Sequence, residues 1–142
     1  MSVTRVAEIT DEIDEAFLRL VPQLSASSAI PTHQQLAEIA ANDHLFIARD
    51  EQQGGRIVGS LTLIIFRIPT GVRAWIEDVV VEESARGRGM GEALTRAALD
   101  HAASLGARTV DLTSRPSRQA ANRLYQRIGF KLRESNLYRY NL

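Results

Sequence analysis

The chain has no cysteine. Disulfides, thiolate-bound metals and cysteine nucleophiles are excluded together. No stretch is long and apolar enough to cross a bilayer. The opening MSVTRVAEIT lacks the continuous apolar run of a signal peptide. Formal net charge is zero, which removes the overall basic field that nucleic-acid binders use. His33, His44 and His101 show no ligand spacing, so no metal is expected. Neither nucleic acid nor membrane is an expected partner, and a cytoplasmic location is the expectation.

What remains is an ordinary globular composition, 44% hydrophobic and 24% charged over 142 residues. That length supports one domain, residues 1–142, with a real core. Thr4 to Ile9 reads as a first strand. Thr10 is a good helix N-cap, followed by Asp11, Glu12 and Asp14 at the positive helix end. Ile13, Phe17, Leu20, Val21 and Leu24 continue at helical spacing. SASSAIP (Ser25 to Pro31) reads as a loop. Thr32 with Gln35 forms a capping-box pattern that opens a second helix.

The period then changes. His44 to Asp50, Arg56 to Ile68 and Val72 to Glu82 read as three strands of an antiparallel meander. Ala93, Leu94, Ala97, Ala98, Ala102 and Leu105 mark one face of a helix, with Gly106 as its cap. Thr109 to Ser114 reads as a strand, Gln119 to Ile128 as a helix stopped at Gly129. Phe130 to Arg133 and Leu137 to Asn141 read as two closing strands, where Tyr138 and Tyr140 fit strand packing. The order is β-α-α-β-β-β-α-β-α-β-β. A helical crossover between the strands at Trp75 and Ser114 makes them parallel. The expected class is α/β (α+β), a mixed sheet of about seven strands with helices on both faces.

One stretch stands apart: ARGRGMGEAL, from Ala85 to Leu94. Between Arg86 and Gly91 no Ser, Thr, Asp or Asn is present to cap the following helix. A helix N-terminus with free amides attracts anions. Gly87, Gly89 and Gly91 free the backbone to wrap a diphosphate, and Arg86 and Arg88 add charge. A P-loop is excluded, since no Gly-Lys-Ser/Thr ending follows. A dinucleotide fingerprint fails because Glu92 stands where its last glycine belongs.

VVVEESARGRGMGEAL resembles the signature of the GNAT superfamily of N-acetyltransferases, with Arg86, Gly89 and Gly91 in register. RQAANRLYQRIGFK (Arg118 to Lys131) resembles a later helix of the same family. The element order also matches, so the resemblance spans nearly the whole chain.

The resemblance implies the GNAT fold and an acetyl-CoA-dependent N-acetyltransferase. Arg86, Gly87, Arg88, Gly89, Met90 and Gly91 would hold the pyrophosphate of coenzyme A. Val79, Val80 and Val81 lie on the strand whose bulge would free backbone groups for the pantetheine arm, with the Val79 N–H on the thioester carbonyl. Tyr125 would be the general acid for the leaving thiolate. Many members carry asparagine where this chain has Arg118, which instead could reach a phosphate or be solvated. Glu77 is the favoured base, with Asp78 or water as alternatives. The mechanism implied is direct attack in a ternary complex, with acetyl-CoA as co-substrate and no metal. SASSAIP would help wall the acceptor pocket. Expected partners are a small-molecule or peptide amine and, as an option, a second copy of the chain. The alternative readings are a non-catalytic coenzyme A-binding sensor and a plain interaction domain.

Overall fold

The computed structural model describes all 142 residues. It contains β1 (Ser2–Arg5), α1 (Asp11–Leu24), α2 (His33–Asn42), β2 (His44–Asp50), β3 (Arg56–Ile68), β4 (Gly71–Val81), α3 (Met90–Ser104), β5 (Val110–Asp111) and α4 (Gln119–Ile128). The local signals are realised where they were strongest. The Thr10 hydroxyl accepts from the Ile13 N–H at 3.3 Å and caps α1. Thr32 and Gln35 bond reciprocally at the start of α2.

β1 to β4 form an antiparallel meander, and β5 lies parallel to β4 at the sheet's end. α3 is the crossover between those parallel strands. Alternation along β2 divides two cores. Leu45 and Ile47 join Ile13, Ala16, Phe17 and Leu20 of α1 and Leu36 of α2 on one face. Phe46 and Ala48 join Leu94, Ala98 and Ala102 of α3 on the other. Full burial of such side chains contributes about 1.5–3 kcal/mol each, so both faces are strongly specified. No helix is long and apolar enough to cross a membrane.

A buried carboxylate fastens the end of β4. Glu82 accepts from Arg19 of α1 at 3.0 Å and from Arg56 of β3 at 2.9 Å. The hydrogen bonds from Arg56, then those from Arg19, hold its pKa down to about 2 against the opposing effect of burial.

The sheet departs from expectation at its last edge. It has five strands, not about seven. β5 covers only Val110–Asp111 of the expected Thr109 to Ser114. The two closing strands at Phe130 to Arg133 and Leu137 to Asn141 are not formed. Phe130 still belongs to the body: its N–H donates to the Tyr125 carbonyl at 2.9 Å and its ring meets Tyr125 edge-on. Beyond it, residues 131–142 make no main-chain hydrogen bond. A strand forms only against a partner edge, and within one chain these residues do not meet one. Leu105 is also corrected. It is the half-exposed C-cap residue of α3, not part of its buried face.

Candidate active site

β5 follows β4 for two residue pairs, Ala74–Val110 and Trp75–Asp111, and then leaves it. From Ile76 to Val81 the edge of β4 on that side is unpaired. It faces Leu112, Thr113 and Ser114 across a cleft of about 1380 Å³. Strands that part in this way expose main-chain donors and acceptors to an extended ligand.

A bulge re-aims β4 at this point. Thr62 pairs with Glu77 and Ser60 with Val80, so Asp78 and Val79 together oppose the single residue Leu61. The extra residue inverts the strand's alternation: Ile76 packs in the core under α3, whereas Val80 packs in the core under α1. Asp78 is the only non-glycine residue with positive φ, at 51°. Such a conformation is uncommon outside glycine, with aspartate among the more tolerant residues.

The glycine loop closes one end of the cleft. Gly87 and Gly89 have φ of 77° and 82°, a region that favours glycine. A Cβ at either would meet nothing within 4 Å, so the main chain there is open to a ligand. Gly91 is different. It lies inside α3 with ordinary helical backbone, and a Cβ there would touch Leu124 at 3.5 Å.

α3 has Gly89 at its N-cap position and α4 has Arg118, and neither helix has a side-chain cap. The first turns of both line the cleft. Two helix N-termini without side-chain caps thus open onto the same cleft, and such ends attract anions. Arg86 and Arg118 border it. Arg88 does not. Its guanidinium is turned back onto the buried carboxylate of Asp50 and bonds Gln52 at 2.7 Å. Only its main chain remains beside the cradle.

Tyr125 of α4 is buried and lines the cleft. Burial pushes its phenol up, and the charge of Arg118 partly opposes this. The phenol therefore keeps its proton at neutral pH. Val79 and Val81 line the cleft and pack partly on the α3 core, while Val80 turns to the other core. Met90 also lines it, beneath the start of α3.

The two carboxylates differ. Both are exposed, but Glu77 accepts from the Trp75 indole N–H at 2.7 Å. Asp78 borders the cleft and also a second cavity between α1, α2 and the sheet. Leu24 and Ser25 border both as well, which places the start of SASSAIP at the junction.

The sequence reading missed Ser114, Arg115 and Arg139, all on the cleft wall. The Ser114 hydroxyl is buried and has no hydrogen-bond partner. Its signal was present: SRPSRQ sets Ser114, Arg115 and Arg118 directly before a helix that lacks an N-cap. An orphaned hydroxyl, open glycine main chain and two free helix ends fit a long ligand that carries a pyrophosphate and an amide-bearing arm.

Parting parallel strands beside two anion-attracting helix ends define a class of protein that takes such a ligand as an inserted strand. The comparisons with known proteins name it. Residues 6–130 match the model of the acetyltransferase (GNAT) family, and the chain belongs to that family; it is an enzyme of the N-acetyltransferase type. Glucosamine 6-phosphate N-acetyltransferase 1 of rice is 31% identical over 135 residues, which cover 89% of this chain and 79% of that protein. The crystal structure of a Trypanosoma brucei acetyltransferase superposes with a TM-score of 0.77 at 29% identity over 99% of both chains. An aminoglycoside acetyltransferase from a soil metagenomic sample shares the fold with a TM-score of 0.82 at 22% identity, over 99% of this chain and 95% of that one.

Proposed function

We propose that the chain transfers an acetyl group from acetyl-CoA to a primary amine, in a ternary complex. The observation that carries this reading is the split between β4 and β5, in a cleft lined also by two uncapped helix ends and by the bulged Asp78. Family members use acetyl-CoA, and the residues here fit it. Gly87, Gly89 and the first amides of α3 would hold the pyrophosphate, with Arg86 and Arg118 beside it. The freed edge of β4 at Val79 and Val81 would pair with the pantetheine arm, and Ser114 would bond it from the opposite wall.

When bound, acetyl-CoA supplies an acetyl thioester, whose carbonyl carbon bonds to the acceptor nitrogen as the carbon–sulfur bond breaks. The Val79 N–H polarises the carbonyl oxygen. Tyr125 holds a proton at Oη for the departing sulfur. Asp78, the carboxylate that touches both cavities, takes the proton that the amine gives up, directly or through water. Glu77 is held by Trp75 and remains on the cleft side. Asp78 is therefore preferred to Glu77 for this role, and a sensor without turnover is the weaker reading because a buried phenol and a carboxylate both line the cleft.

The test is direct. Without cysteine in the chain, every thiol released belongs to coenzyme A. Turnover with a panel of amines, read as free thiol, is expected to depend on both acetyl-CoA and amine. Thermal stabilisation by acetyl-CoA with no thiol release from any amine would instead favour the sensor. No stabilisation at high ligand concentration would remove the cofactor assignment.

A further inference from the structure

The second cavity holds about 250 Å³, the liquid volume of roughly eight waters at about 30 Å³ each. Phe17 and Val21 of α1, Leu36 and Ile39 of α2, and Leu45 of β2 supply its apolar walls. Its polar groups are hydroxyls and one carboxylate. The Ser60 hydroxyl is already committed, donating to the Phe46 carbonyl at 3.0 Å. Asp78 is the only charged residue of the lining, and no Arg, Lys or His is among it. A phosphate placed here would meet a carboxylate and no cation, a costly arrangement. An ammonium group at Asp78 with an apolar body below it would satisfy both halves of the cavity.

We propose that this cavity is the acceptor subsite, and that it takes a primary amine borne on a compact uncharged apolar body, an arylalkyl- or branched alkylamine, and not a sugar phosphate. The assignment rests on the acetyltransferase reading given above. It separates this chain from the glucosamine 6-phosphate enzyme it resembles at 31% identity.

The experiment compares n-alkylamines of increasing length, 3-methylbutylamine and 2-phenylethylamine with glucosamine 6-phosphate and spermidine. kcat/KM is expected to rise by about fourfold per added methylene until the cavity is full, with glucosamine 6-phosphate the poorest acceptor. A higher kcat/KM for glucosamine 6-phosphate than for every apolar amine overturns the proposal. Ala29→Trp, a cavity-edge substitution on an exposed loop, is expected to raise KM for 2-phenylethylamine by tenfold or more and leave acetyl-CoA affinity unchanged. An unchanged KM overturns it too. Equilibrium binding of 2-phenylethylamine, without acetyl-CoA, tests the cavity separately from turnover. Binding without thiol release sinks the acetyltransferase reading and keeps the subsite; no binding sinks the subsite alone.

Discussion

The guanidinium of Arg88 is bonded to the carboxylate of Asp50, which is only 2% exposed and lies at the end of β2. The same carboxylate also caps the turn before β3, accepting from the Gln52 N–H at 3.0 Å. Arg88 thus fixes the glycine cradle to the meander rather than serving a ligand. Arg88 and the hydrogen bonds of the turn hold the Asp50 carboxyl below the usual range, against burial. Arg88→Met is expected to lower the melting temperature and weaken acetyl-CoA by roughly tenfold through loss of positioning. The salt dependence of acetyl-CoA binding should stay as in the parent. A shallower dependence would mean that Arg88 meets the phosphates itself.

Two glycines of the loop separate by substitution. Gly89→Ala places a Cβ at φ 82° and is expected to cost about 1–2 kcal/mol, measurable by urea denaturation, with weakened acetyl-CoA binding. Gly91→Ala meets only ordinary contact with Leu124 and adds helix propensity. It should be neutral or slightly stabilising, with acetyl-CoA affinity kept.

The proposed roles of Tyr125, Asp78 and Glu77 should separate kinetically. Tyr125→Phe is expected to lower kcat by about 10²-fold with acetyl-CoA affinity unchanged. Asp78→Asn should lower kcat/KM for the amine by a similar factor. Glu77→Gln should lower it much less, because that side chain is committed to Trp75. If the two carboxylate variants exchange rank, the proton acceptor is Glu77.

Stability should fall in two stages on acidification. His101 Nε2 lies 3.0 Å from His44 Nδ1. Burial lowers both pKa values; Arg5 adds to this at each, and His101 adds to it at His44. The unfolded chain therefore binds protons first, and stability drops as pH falls below about 6.5. Glu82, held at about 2, adds stability that is full above about 4.5 and lost as pH falls toward 2. Melting temperature against pH should show both steps. His101→Asn should flatten the first and leave the second.

The fold was legible wherever a local pattern sufficed. The caps at Thr10 and Thr32–Gln35, the strand run His44 to Asp50 and the stop at Gly129 are all short-range signals, and the structure realises each. The cleft's cradle was legible because positive φ at Gly87 and Gly89 demands glycine. Three features were not legible. The pairing of Arg88 with Asp50 joins residues 38 positions apart, and an arginine among glycines reads as ligand charge. The choice between Glu77 and Asp78 turns on a bulge, and the unbroken apolar run Val79 to Val81, which packs on both faces of the sheet, hides the change of phase. The closing strands carry strand composition, but composition does not supply the edge that a strand must pair with.

The bulge at Asp78 has a consequence for how this chain can change. Along β4 the two cores are out of phase by one residue, with Ile76 committed to one and Val80 to the other. Loss of one residue between Glu77 and Val80 would remove the bulge and, in the same step, send Val80 and Val81 to the wrong sides. The aim of Asp78 and the core assignment of Val80 are thus written into one residue of surplus length. Sequence drift can alter the cavity between α1, α2 and the sheet, but the splice in β4 can be neither shortened nor moved without turning Val80 and Val81 to the opposite faces.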